Sequence, residues 1–170
     1  LFEKAEIPAL WLYISKLILS FGILLSSATL YAQCDSLAEA SQSSKGTQRV
    51  DALNEYARCY LGPDFLKMDS LTSIALELAT SLNYHSGIAR AKQNKGLFSF
   101  YYNQDYDQAL ELYNQALDMY TVADDSLGMA KAQGDVGSYY QAFFEYGKAL
   151  NYFISALEIF EMYNHKAGIS

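Results

Sequence analysis

The same stripe of apolar positions occurs twice in the second half of the chain. Tyr106, Ala109, Leu110, Tyr113, Ala116, Leu117 and Tyr120 return forty residues later as Tyr146, Ala149, Leu150, Phe153, Ala156, Leu157 and Phe160. Their offsets of 0, 3, 4, 7, 10, 11 and 14 place all seven side chains on one face of an α-helix. A second set alternates with the first. Gly87, Ile88, Ala89, Ala91 and Gly96 return forty-one residues later as Gly128, Met129, Ala130, Ala132 and Gly137. Two helices per unit follow, in units over about 49–85, 86–125 and 126–164. Gly168 and Ile169 match Gly128 and Met129, so a further unit is cut short at residue 170.

The first unit is a worn copy. Phe65, Met68, Ala75, Leu76 and Ala79 keep the stripe, while Asp69 and Thr72 interrupt it. A divergent terminal repeat reads as a cap, because one of its faces meets solvent instead of a neighbour. The stripe that carries Tyr146, Phe153 and Phe160 is left short of a covering neighbour at the other end, which predicts self-association of the isolated piece. The fold class expected is all-α, an α-solenoid of antiparallel helix pairs.

The small–aromatic–small pattern Ala109, Tyr113, Ala116 and again Ala149, Phe153, Ala156, with Gly96 or Gly137 upstream and Tyr140 three residues after the latter, resembles the tetratricopeptide repeat family from about residue 49 to 170. Alanines at a helix crossing let two backbones approach, and the aromatic fills the space beside them. Glycine inside a helix costs about 1 kcal/mol relative to Ala, so Gly96 and Gly137 mark points of close contact. The sequence departs from the family in three ways. Its period is 40 to 41 residues against about 34, Lys95 stands where the next unit has Val136, and no proline closes either second helix. The longer period resembles the extended-helix variant common in exported bacterial signalling proteins. A HEAT-type repeat has a similar period but fits the glycine and aromatic spacing less well.

Ahead of the repeats, 17–30 is uncharged and apolar, with Lys16 before it and Ala32 after it. That layout is a signal peptide over 1–32, cut after Ala32 or near Ser26 and Ala28. The competing reading is a membrane anchor over 7–32, long enough to cross a bilayer but split by Lys16. Both readings export the remainder to the periplasm or cell envelope. Residues 33–48 read as a linker or cap. Gln33 before Cys34 lacks the small residue that lipidation needs. Because the chain opens on Leu1 and stops at the start of a repeat, it reads as a piece of a longer protein.

Composition removes some function classes. Twelve Lys and Arg face nineteen Asp and Glu, a net charge of −7 that disfavours phosphate-backbone contacts and so a nucleic-acid partner. His85 and His165 read as loop residues, and no phosphate loop, metal spacing or cofactor motif surrounds them. Asp105 with Asp107, and Asp124 with Asp125, read as helix caps rather than a calcium loop. No catalytic constellation emerges. Cys34 and Cys59 are the only cysteines. In an exported chain they can bridge; the alternative is that Cys59 is a small buried residue of the first helix.

The resemblance implies a concave groove lined by the first helix of each pair. Arg49, Arg90 and Lys131 fall one per unit, spaced by 41 and 41, as a basic rail suited to an acidic or C-terminal peptide. The alternative is that each pairs with an acidic neighbour. Gln93 and Leu97, and then Gly134 and Ser138, stand where chaperone-binding members carry a Lys and Asn clamp, so that clamp is absent. Tyr56, Tyr60, Leu97 and Tyr101 project from similar places and make the groove apolar and aromatic. The function expected is a scaffold that binds a protein or peptide. Its alternative is the sensory region of an envelope receptor whose output domain, a histidine kinase or a transcriptional regulator, lies further along the chain.

Overall fold

The computed structural model describes residues 32–167, and every regular element among them is helical. Helix α1 covers 32–43, followed by α2 (Gly46–Arg58), α3 (Phe65–Ser81), α4 (His85–Phe98), α5 (Tyr106–Val122), α6 (Ser126–Ala142) and α7 (Tyr146–Ala167). The apolar segment read as signal or anchor falls on residues outside the described ones, apart from Ala32. No helix of the described residues is long and apolar enough to cross a membrane.

Polar residues set the helix starts. Asp64, Asp105 and Asp125 each accept a hydrogen bond from the backbone N–H three residues on, at 3.0, 3.0 and 2.8 Å, and so cap α3, α5 and α6. The turns before α4, α5, α6 and α7 each pass through one left-handed residue: Asn83, Gln104, Asp124 and Phe144. Short turns fold consecutive helices back on each other, which produces the pairs α2–α3, α4–α5 and α6–α7. Helix α4 lies between α2 and α6, so the first helices form one layer and the second helices the other.

Small residues let the layers meet. Ala75, Ala89, Ala109, Ala116, Ala130 and Ala132 are wholly buried, together with Tyr120, while Tyr113 is 2% exposed. A Cβ added to Gly96 would come within 2.6 Å of the Tyr113 ring, and one added to Gly137 within 2.6 Å of Phe153. Gly134, on the open side of α6, has nothing within 4 Å. Gly96→Ala should therefore lose roughly 1 to 3 kcal/mol by overpacking. Gly134→Ala should gain about 0.5 to 1 kcal/mol from helix propensity alone. Urea unfolding of the two variants checks this, and equal effects would contradict the packing described.

Two of the departures in the sequence prove to be one contact. Lys95 Nζ sits 2.6 Å from Asp69 and 2.7 Å from Ser73, joining α4 to α3. One repeat later the matching positions are Val136 and Leu110, which pack in the same core cluster. An ion pair in the first junction thus takes the place of an apolar pair in the second. Thr72 occupies the position of Tyr113 and is buried all the same, at 1% exposure.

One expectation is corrected: His85 opens α4 and the backbone at His165 lies inside α7, so neither is a loop residue. The segment 33–48, read as a linker or cap, is helical as far as residue 43. Of the two readings left open for the cysteines, the structure has the bridge: Cys34 and Cys59 are joined as a disulfide with Cα atoms 6.0 Å apart, which ties α1 to the end of α2. At the other end, α7 leaves Tyr146, Leu150, Ile154 and Leu157 between 45% and 60% exposed.

Candidate functional site

The layer of first helices presents a cavity of about 500 Å³. Glu55 and Arg58 of α2, Arg90 and Gln93 of α4, and Lys131 and Gly134 of α6 line its floor. Phe153, Leu157 and Phe160 of α7 form its apolar wall.

Polar contacts tie most of the floor together across the helix junctions. Arg90 donates to Glu55 at 2.6 Å across the α2–α4 junction. Gln93 accepts from the Tyr120 hydroxyl at 2.9 Å and donates to Asp135 at 2.6 Å, linking α4 to α5 and α6. Arg58 donates to Asn94 at 3.3 Å and lies 3.9 Å from Asp135. Asn94 donates to the Asn54 carbonyl, and Asn54 to the Gly87 carbonyl, at 3.0 and 3.2 Å. The buried amides of Asn54, Gln93 and Asn94 each bond across a helix junction, so these contacts fix how the first helices sit against one another.

Burial raises the Asp135 carboxyl above the ordinary range, while Arg58 and the Gln93 hydrogen bond hold it down. Burial also pushes the Tyr120 phenol up to about 12, against the pull of Arg90, so it serves as a neutral donor. Among the described residues no group of three or more His, Cys, Asp or Glu is placed to hold a metal ion.

Of the residues named from sequence for the groove, Arg90, Gln93 and Lys131 come together at the cavity. Of the other five, Leu97 and Tyr101 line a smaller cavity of about 90 Å³ with Arg58 and Asp135, and Arg49, Tyr56 and Tyr60 stand elsewhere. Arg49 is exposed on α2 and outside the cavity. Leu97 is 5% exposed and belongs to the core beside Ala57, Met68 and Val136. Tyr56 and Tyr60 bond to each other through their hydroxyls at 3.0 Å, with the Lys67 ammonium 4.2 Å from the Tyr60 ring. Tyr101 lies on a π-helical turn, Ser99–Asn103, that extends α4. Its i→i+5 pattern swings the ring out of the α-helical register to stack on Phe65 at 6.4 Å.

The three-cation rail is therefore not continuous. Arg90 has Glu55 across the junction; one repeat on, the position of Glu55 is Gly96, and Lys131 has no ion-pair partner among the described residues. Sequence reasoning missed Glu55, Arg58 and Asp135, whose polar side chains sit at helical spacing beside apolar positions, and the α7 wall, whose residues it assigned to packing only. Of the residues assigned to packing, Gly96, Ala109, Tyr113, Ala116, Gly137, Ala149 and Ala156 are buried. Tyr140 is half-buried and stacks on Tyr152 at 5.6 Å. Phe153 is 37% exposed, one side of its ring against Gly137 and the other toward the cavity.

A layered array of helix pairs with a polar inner floor and an apolar wall defines a helical repeat module of the binding kind. The tetratricopeptide repeat family model matches residues 87–162, and that part of the chain belongs to the tetratricopeptide repeat family. Repeats of this family mediate protein–protein interaction. No curated protein matches the chain.

Proposed function

We propose that the chain is an exported protein-interaction scaffold that holds a peptide segment in the cavity on its inner face, as one part of a larger protein. The observation that carries this reading is the junction of Lys131, unpaired among the described residues, with the apolar wall of Phe153, Leu157 and Phe160 over a rigid polar floor. Such a site takes an acidic side chain or a C-terminal carboxylate at Lys131 and an apolar side chain against α7. Export is supported by the Cys34–Cys59 disulfide, since such bonds persist in oxidising compartments, and by the apolar run over 17–30.

The test is a selection from a displayed peptide library followed by affinity measurement with Lys131→Glu. Lys131 is exposed and takes no part in the floor network, so its reversal leaves the fold intact. Selected peptides are expected to be acidic and to lose at least tenfold in affinity. Unchanged affinity would remove the groove as the binding site.

A further inference from the structure

The turn edge of the array carries a second surface. Phe65, Phe98 and Tyr102 cluster where the first two repeats meet, with ring centroids 5.9 Å apart for Phe65–Tyr102 and 5.0 Å for Phe98–Tyr102. The same three positions one repeat on are Tyr106, Tyr139 and Phe143. There Tyr106 meets Phe143 at 5.0 Å and 81°, and Tyr139 meets Phe143 at 4.9 Å and 44°. These steeply inclined rings wall an open hollow of about 490 Å³ whose rim is the α4–α5 turn with Asp105 and Asp107. Tyr106 and Phe143 are 37% and 41% exposed.

Burial raises the Tyr139 phenol, and the carboxylates of Asp107 and Glu145 raise it further, against Lys148. Asp105 is engaged in capping α5, whereas Asp107 is exposed. Aromatic faces beside carboxylates attract cations. Elsewhere on this edge the protein supplies its own: Lys67 lies 4.2 Å from the Tyr60 ring centre and Lys148 4.9 Å from that of Tyr140. These two lysines occupy one repeat position in the first and third units, and the middle unit has Gln108 there, which accepts from Ser99 at 2.7 Å. At the junction of the second and third units Gln108 thus stands where the first unit has Lys67, and Lys148, the cation acting on Tyr139, is held by Glu145 and the Tyr140 ring.

We propose that the hollow of Tyr106, Tyr139 and Phe143 receives a lysine or arginine side chain from a partner protein, with Asp107 balancing its charge. An anionic lipid headgroup would be repelled by Asp107, and a neutral saccharide would use that carboxylate as a hydrogen-bond acceptor without pairing its charge. This surface is separate from the inner cavity, so each can fail without the other.

The test titrates the full chain with acetyl-Gly-Arg-Gly-amide while recording tyrosine ring signals by NMR. The same peptide with citrulline, and maltohexaose, serve as neutral probes. Saturable shifts of Tyr106 and Tyr139 are expected with the arginine peptide, weakened at least threefold by Asp107→Asn and by Phe143→Leu and unchanged by Lys131→Glu. Equal shifts with citrulline or maltohexaose, or no saturable shift with arginine, would overturn the proposal.

Discussion

Tyr113→Ala is expected to lower the unfolding free energy by about 3 to 5 kcal/mol, the range for deleting a large buried aromatic. The ring is 2% exposed and packs in one cluster with Ala57, Met68, Leu97, Ala109 and Val136, drawn from five helices. Its edge lies over Gly96, so no neighbouring Cβ stands ready to fill the gap. Closing the void would need α4 and α5 to move together, and the Asn94 and Gln93 hydrogen bonds hold α4 to α2 and α6. Urea unfolding followed by circular dichroism measures the effect. A loss below about 1 kcal/mol would mean that the site collapses freely and that Tyr113 is not the keystone of the α4–α5 pair.

Opening the Cys34–Cys59 bridge is the second large perturbation. The bridge spans 25 positions of sequence, for which the chain-entropy treatment predicts about 3.5 kcal/mol. Reduction, or Cys59→Ala, is therefore expected to cost about 2 to 4 kcal/mol. The loss should be local, because each unit of a repeat array contacts only its neighbours. Amide exchange should rise through α1 and the end of α2 while α5 and α6 stay protected. Unchanged stability under reduction would show that α1 is held by packing alone. A uniform rise in exchange would show that the array unfolds as one unit.

Ala109, Tyr113 and Ala116 were legible because they repeat at the offsets that face the neighbouring helix; on α7, where no further helix among the described residues covers the stripe, Tyr146, Leu150 and Leu157 stay exposed at the same offsets. The groove was legible only in part, because its composition depends on what stands across each junction. Arg90 and Lys131 share a repeat position, yet among the described residues one is paired and the other is not, since Glu55 in one unit becomes Gly96 in the next. Tyr101 escaped because a single π-helical turn shifts its direction, and one sequence read for α-helical period does not reveal it. Lys95 and Asp69 each looked like a flaw in the pattern. Their contact, 26 positions apart in the chain, makes them a matched exchange of an ion pair for an apolar pair.

The aromatic edge shows the opposite case. Tyr106 belongs to the apolar stripe by spacing, but it is the first residue of α5, where the stripe runs off the end of the helix onto the turn edge. Burial falls from Ala109 to Tyr106 within one helical turn. Position along the helix, and not only position around it, separates core from surface here.

The inner face as a peptide site is tested most directly by where a bound peptide lies. A selected peptide carrying a nitroxide label should broaden the amide signals of Ala130, Lys131 and Gly134, which line or flank the cavity. It should leave those of Glu77 and Thr121, exposed on the second helices, sharp. Broadening centred on Glu77 or Thr121, with Lys131 untouched, would contradict the account.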